Sequence, residues 1–425
     1  MRFLSAALLL FPHLAAAQGT ALHALVDRLA AEASPAVVSW RRDIHQNPEL
    51  SGKEVRTSQL VASALTQMGI QVRTGVGGHG VVGVLTGGRP GPVVALRSDM
   101  DALPVTEATS LPFRSTVRAQ FRGQNVGVMH ACGHDAHMAM LLGAARVLSQ
   151  MRAQLPGTVV FIFQPSEETP PGGAAPMIAA GALDSPKVDA IFGLHVFPGE
   201  PGRIEYREGP MMASTDNWRV AFHGKQTHGA RPWDGIDPIV IGAQFVSAMQ
   251  TIVSRRTDLT RTPSVITVGA FNGGLRENII PDSAVLIGTM RTFDSAVRTQ
   301  LQDELRRTAV GIAQASGARA DVAFFPGYPV TSNDTALTRR MVPTLERVSP
   351  GKVGLAKLSM PAEDFSYYQE KVPGMFVFLG VTPRGTDPAS APSNHSPLFD
   401  VDESALPVGV RALASLAVDF LSGTR

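Results

Sequence analysis

The stretch VMHACGHDAHMAML, residues 128–141, holds the only cysteine of the chain among three histidines, His130, His134 and His137. Cys132 and His134 stand two residues apart at the mouth of a helical pattern, where a turn can aim both at one ion. A thiolate paired with an imidazole suits zinc or a similar borderline metal. An inert buried thiol and a nucleophile are the two other readings these residues allow. Asp135 is placed to cap the helix or support a ligand, and His137 to pack behind it.

Four more segments carry donors. SDMDALP, residues 98–104, sets Asp99 and Asp101 just past an apolar run, a pattern that suits metal coordination, the orienting of a coordinated imidazole, or an Asx turn. QPSEET places Glu167 and Glu168 side by side after another apolar run. Adjacent side chains of extended chain point to opposite sides. One carboxylate can therefore ligate while the other serves as general base, unless the pair is simply a solvated edge. His195 ends the run IFGLH, where an unpartnered imidazole is costly, and His395 stands in SNHSPLF; either alone also reads as structural. Farther along, GKQTHGARP puts His228 in a glycine-flanked turn, NIIPD offers Asn278, and GTMRTF offers Arg291. An imidazole, an amide and a guanidinium can hold an anionic substrate, Arg291 gripping a carboxylate through two N–H groups; judged singly they are ordinary surface polar residues. His45, His79 and His223 have no comparable context and read as structural.

Positioning these residues requires strands that end beside one another. Apolar runs at 81–85, 93–97, 159–163 and 191–196 read as strands, and helical periodicity covers 22–38, 53–68 and 136–151. Strands alternating with helices predict an α/β sheet with parallel members, and ligands collect beyond the carboxyl ends of such strands. Asp99, Asp101, Glu167, Glu168 and His195 all fall at or just past a strand end. Residues 212–325 read differently: strand 218–223, helix 238–255, strands 264–271 and 284–292, helix 295–316, strand 320–325. This is the split βαβ, ferredoxin-like order. It predicts a compact inserted domain at 212–325 between two parts of a catalytic domain, 18–211 and 326–425. The second part holds strand MFVFLG and a closing helix at 406–421.

Composition supports this division. At 425 residues, 44% of them hydrophobic and 17% charged, the chain exceeds the roughly 250–300 residues at which single cores stop growing. The net charge of +2, with no block of Lys or Arg, excludes a surface built for nucleic acid or an anionic membrane. MRFLSAALLLFPHLAAAQ reads as a secretory signal peptide over residues 1–17, cleaved after Ala17, and implies a periplasmic or secreted protein; a buried N-terminal helix is the other reading. Beyond it, no run reaches the roughly 18 uninterrupted apolar residues of a membrane span. An unpaired cysteine in an oxidising compartment is intermolecular, reactive or metal-bound, unless it is buried and inert.

RSDMDALP, MHACGHDAH, QPSEE followed by GGA, GLHV, KQTHGARP, NIIPD, GTMRTF, MPAEDFSYY and NHSPLFD resemble, in that order, the amidohydrolase branch of the zinc aminoacylase/carboxypeptidase superfamily. That branch includes hippurate hydrolases, auxin-conjugate hydrolases and related N-acyl-amino-acid amidohydrolases. The resemblance covers nearly all of the chain after the signal. It implies a mixed sheet flanked by helices, as in metallo-exopeptidases, with an inserted ferredoxin-like α+β lid. It also implies two divalent metal ions, whether zinc, manganese, cobalt or nickel. Cys132, His134, Glu168, His195 and His395 match the ligand positions, Glu167 the base, and Asp101 the acid that steadies a ligand. Relatives outside the branch carry His-x-Asp where this chain has Asp99-Met100-Asp101, and an Asp near the position of Cys132, so cysteine as a bridging ligand is a feature of the branch.

By the same resemblance, His228 donates to the developing oxyanion, from its own chain or a partner's, and Asn278 and Arg291 hold the substrate carboxylate. The implied reaction is cleavage of N-acyl amino acids, the implied partners are small molecules, and a homodimer through the lid is one arrangement. Two rivals stand beside it: a dipeptidase or carboxypeptidase of the same architecture, and an exported binding protein, which would have no use for such a cluster of donors. A cysteine hydrolase would depend on Cys132 independently of metal.

Overall fold

The computed structural model describes residues 11–423. The expected export signal at 1–17 lies largely outside them, and a helix, Phe11–Gln46, begins within its remainder. The chain groups into two compact units. One comprises the described residues up to Gly209, Asn333–Ala356 and those from Tyr367 onward; the other comprises Pro210–Ser332 and Lys357–Ser366. The second unit thus also takes in the short segment Lys357–Ser366, which the sequence pattern assigns to the catalytic domain.

The first unit is built on a mixed sheet of eight strands among the described residues, in the order Gln71–Val76, Gly80–Thr86, Pro156–Gln164, Arg89–Asp99, Ala190–Phe197, Gly374–Gly380, Ile204–Tyr206, Val353–Leu355. Its centre is parallel: Arg89–Asp99 pairs in parallel with Pro156–Gln164 on one side and Ala190–Phe197 on the other, and Gly374–Gly380 continues the set. Strands buried on both faces need continuous apolar runs rather than alternation. Ala190–Phe197 and Gly374–Gly380 are buried almost throughout. Three carboxyl ends therefore emerge side by side, carrying Asp99, Gln164 and His195.

Helix His134–Gln150 packs against Phe11–Gln46, Leu406–Ser422 and the central strands, and is buried along nearly its whole length. A helix enclosed on most sides carries apolar residues on most of its faces, and here its first turn departs from that with buried His134, Asp135 and His137. The same reason explains residues Glu403–Ser422, the one described stretch long and apolar enough to cross a membrane by length and composition; most of it is buried in this core. The N-terminal helix continues to Gln46, eight residues past the predicted stop at 38. Its last two turns bury Arg41 and His45 beside Ile44, so the inward face there is partly polar and escapes a count of apolar residues.

The second unit carries an antiparallel four-stranded sheet, ordered Ser264–Gly273, Ser283–Thr292, Ser214–His223, Arg319–Pro326. With helices Pro238–Arg256 and Ser295–Ala315 between the strands, this is the βαββαβ order. Alternation along Ser214–His223 turns Trp218, Val220 and Phe222 inward, where they meet Phe245 and Leu305. Asp237 and Asp294 each cap the following helix by accepting two backbone N–H groups.

Candidate metal centre

Three strand ends, one helix start and the loop of His395 build the site. The turn at Gly133 stands at φ 85° immediately before helix His134–Gln150, and a Cβ there would lie 2.3 Å from the Val196 side chain. Glycine is therefore required, and Cys132 and His134 leave the turn together. His134 donates from Nδ1 to the Asp101 carbonyl at 2.8 Å, which fixes its tautomer. Its Nε2 is buried with no hydrogen-bond partner. His195 donates from Nδ1 to the Val196 carbonyl at 2.8 Å and brings Nε2 to 3.5 Å from Cys132 Sγ. Histidines held by one nitrogen with the other presented are oriented as metal ligands are.

Glu168 Oε1 lies 3.1 Å from His395 Nε2 and 3.8 Å from His134 Nε2, and it too is buried without a hydrogen-bond partner. His395 adopts φ 69°, a conformation rare for a side-chain-bearing residue, held by its N–H bond to the Ala131 carbonyl. Asn394 beside it donates to the carbonyls of Cys132 and Val196 at 3.2 and 3.1 Å.

Donor atoms of Cys132, His134 and His195 lie within 4.8 Å of one another, as do those of Cys132, Glu168 and His395, and those of His134, Glu167 and Glu168. The sets share members, and Cys132 belongs to two of them, so the arrangement offers adjoining positions rather than one. In a fourth set, Asp99 with His134 and His137, both Asp99 and His137 are already committed. Asp99 accepts from His137 Nδ1 and from Arg97 Nη1, both at 2.7 Å, while His137 Nε2 accepts the Val196 N–H at 2.8 Å.

The electrostatics fit a cation. Burial first, then the charges of Glu168, Glu167 and Asp99, push the Cys132 thiol well above its usual range. Burial also holds His195 well below the usual imidazole value. Burial alone would lower His134, but Asp99, Asp101 and Glu168 outweigh it and raise it to about 10. A proton thus stands where a cation is wanted, and a bound divalent ion reverses that logic by stabilising the thiolate and the neutral imidazole. Sulfur, nitrogen and carboxylate donors with orphaned, inward-facing atoms fit zinc, manganese, cobalt or nickel.

Asp101 anchors the centre. Oδ1 accepts the Glu167 N–H and Oδ2 the Glu168 N–H, each at 3.0 Å, and Ser51 Oγ donates to Oδ2 at 2.6 Å. Burial would raise its pKa; hydrogen bonds from His134, Ser51 and the Glu168 amide hold it below the usual carboxylate range.

His228, Asn278 and Arg291 belong to the second unit. His228 is exposed and, rather than lying in the expected turn, ends the short strand Thr227–His228; its Nδ1 accepts the Ala230 N–H, and the Gly229 N–H just beyond it donates to the Asn278 carbonyl at 2.8 Å. Arg291 is partly buried and donates to the Met360 carbonyl at 3.2 Å.

The residue patterns passed over the cluster behind the turn. Arg41, 1% exposed, donates to Asp135 at 3.1 Å, Asp400 at 3.3 Å and Glu403 at 3.1 Å. His45 bonds Asp135 through Nδ1 at 2.9 Å and Glu107 through Nε2 at 3.2 Å. It therefore has a defined charged role, more than the bare structural one its sequence context suggested. Val37, Arg41, Ile44 and His45 share one face at helical spacing, the one signal that could have revealed them. Burial alone would lower the His45 pKa; Asp135 and then Glu107 raise it to about 9. A raised pKa contributes stability fully below the unfolded value near 6.5 and loses it as pH climbs through about 9. The urea midpoint should accordingly fall between pH 6.5 and 9.5, by on the order of 3 kcal/mol in stability. His45→Gln should flatten that decline, and an equally steep one in the variant would remove His45 as its source.

A mixed α/β sheet whose strand ends and neighbouring loop carry overlapping sulfur, nitrogen and carboxylate donor sets defines a divalent-metal centre. The chain belongs to peptidase family M20/M25/M40, whose model matches residues 95–419. It is 42% identical to thermostable carboxypeptidase 2 of Saccharolobus solfataricus, over 90% of this chain and 95% of that protein. It is 40% identical to N-acetylcysteine deacetylase of Bacillus subtilis, over 91% and 97%. The crystal structure of the Bacillus subtilis YXEP protein, described as a dinuclear metal-binding peptidase of the M20 family, superposes with TM-score 0.77 at 38% identity, covering 91% of this chain and 98% of that one.

Proposed function

We propose that this enzyme hydrolyses N-acyl amino acids to a carboxylate and a free amino acid. The observation that carries the reading is the convergence of Cys132, His134, Glu168, His195 and His395 around overlapping donor sets, with Glu167 in the same cluster. In this reading those five residues hold two divalent ions. When bound, the ions polarise the amide carbonyl and acidify a water molecule. Glu167 accepts a proton from that water as its oxygen bonds to the carbonyl carbon. Glu167 then returns the proton to the nitrogen as the C–N bond breaks. His228 suits donation to the developing oxyanion. The guanidinium of Arg291 and the amide of Asn278 suit the free carboxylate of the amino-acid part.

A second reading, cleavage of peptides from the carboxyl end, is favoured by the carboxypeptidase among the relatives. Stripped protein reloaded separately with zinc, manganese, cobalt and nickel should be offered benzoyl-, acetyl- and indoleacetyl-amino acids beside dipeptides. Acylated substrates are expected to lead in kcat/KM by roughly tenfold or more, the scale on which pocket contacts discriminate. Dipeptides leading instead would transfer the assignment to the peptidase reading. Undiminished turnover after stripping would sink both.

A further inference from the structure

Glu54 is fully buried immediately before helix Val55–Gln67, yet it does not cap that helix. Glu49 does so instead, accepting the N–H groups of Arg56 and Thr57 at 3.1 and 2.8 Å. The Glu54 carboxylate turns elsewhere. Its Oε1 accepts the Ser166 N–H at 2.8 Å and the Gly52 N–H at 3.0 Å, and its Oε2 is buried with no hydrogen-bond partner. Burial, then the Asp101 charge, raises its pKa to about 7, so keeping an acid here costs folding free energy. Helix capping does not explain that cost.

The bond to Ser166 does. Ser166 stands at φ 59°, in the left-handed region that a side-chain-bearing residue enters only at a steric penalty. The N–H groups of three successive residues, 166, 167 and 168, are thereby each held by a buried carboxylate oxygen: Glu54 Oε1, Asp101 Oδ1 and Asp101 Oδ2. Both carboxylates are tied to the same short segment, Asp101 through Ser51 Oγ and Glu54 through the Gly52 N–H.

We propose that Glu54 is a positioning residue: with Asp101 it locks the strained main chain of residues 166–168 and so aims Glu167 at the scissile bond and Glu168 at the metal. This rests on the roles of Glu167 and Glu168 proposed above. Geometry carries the effect, since a misplacement of about 1 Å in a reacting group can cost 100-fold in rate, and loss of a residue that orients a ligand typically costs 10–100-fold in metal affinity.

The test combines Glu54→Ala, Glu54→Gln and each of these with Ser166→Gly. It reads kcat, KM, thermal midpoint, and the affinity of the stripped protein for zinc against a competing chelator. Glu54→Ala should lose roughly 100-fold in kcat with KM within about threefold, and about tenfold in zinc affinity. Glu54→Gln keeps an acceptor oxygen but not its charge, and should lose roughly three- to tenfold in kcat. Glycine enters the left-handed region freely, so Ser166→Gly should restore a large part of both losses without restoring the thermal midpoint. Wild-type kcat and zinc affinity in either Glu54 variant overturn the proposal. So does a loss that tracks the thermal midpoint and is not rescued by Ser166→Gly. If Glu54→Ala does not fold, Glu54→Gln with and without Ser166→Gly decides by the same criteria. The reading beneath it fails separately: Glu167→Gln with full turnover removes the base, whatever the Glu54 variants do.

Discussion

Glu167→Gln is expected to lower kcat by about 100- to 10,000-fold, the contribution a positioned acid–base group makes. The amide side chain is nearly isosteric and cannot take a proton from water. Its backbone N–H remains on Asp101, so the main chain of the loop stays in place. Metal content is therefore expected to equal that of the unaltered protein, and KM to change little. A loss in kcat with unchanged KM marks an interaction made in the transition state only. Elemental analysis of the two proteins beside their steady-state kinetics separates a missing base from a missing metal. Near-normal turnover in the variant would remove Glu167 from its role.

The largest expected effect on stability comes from Arg41→Met. The side chain of Arg41 is 1% exposed and so is that of Asp135, whereas Asp400 and Glu403 are 26% and 22% exposed. Removing the guanidinium leaves the Asp135 charge uncompensated in the interior but for His45, while the other two acids can turn to water. Breaking a buried pair by deleting one partner costs roughly 3–5 kcal/mol. For a unit of this size that lowers the thermal midpoint by on the order of 10 °C. Arg41→Lys keeps the charge, loses the planar fork and should fall between. Calorimetry of the stripped proteins checks this, and a drop of under about 2 °C would show that the cluster contributes little. Arg41 joins the N-terminal helix to the start of helix His134–Gln150 and to the loop after His395, so its loss should also loosen the donor set.

Much of the centre was legible because its chemistry is carried by residue type. A lone cysteine two residues from a histidine, adjacent glutamates past an apolar run and a histidine ending another are unusual enough locally to be found by reading. Asp101 was legible as a supporting acid, but not its task of gripping two consecutive main-chain amides. The residues missed act through burial. Arg41, His45 and Glu54 are polar groups at inward positions; helical spacing with Val37 and Ile44 places the first two on the inward face, but residue type does not tell which charges are paired there. Asp99 illustrates the converse. Its spacing suits a ligand, yet Arg97 and His137 already occupy both oxygens.

By itself the sequence determined which atoms can do chemistry, the alternation of strands and helices that brings strand ends together, and the βαββαβ order of the second unit. These follow from local periodicity and residue type, each set within a few neighbouring positions. Only the tertiary structure decided which nitrogen of each histidine is presented, which carboxylates are free, and how residues 166–168 are held at a strained turn. Several of those choices depend on hydrogen bonds between residues far apart in the chain, 33 positions for His134 with Asp101, 50 for Ser51 with Asp101 and 112 for Glu54 with Ser166. Such pairings exist only once the core has closed around them.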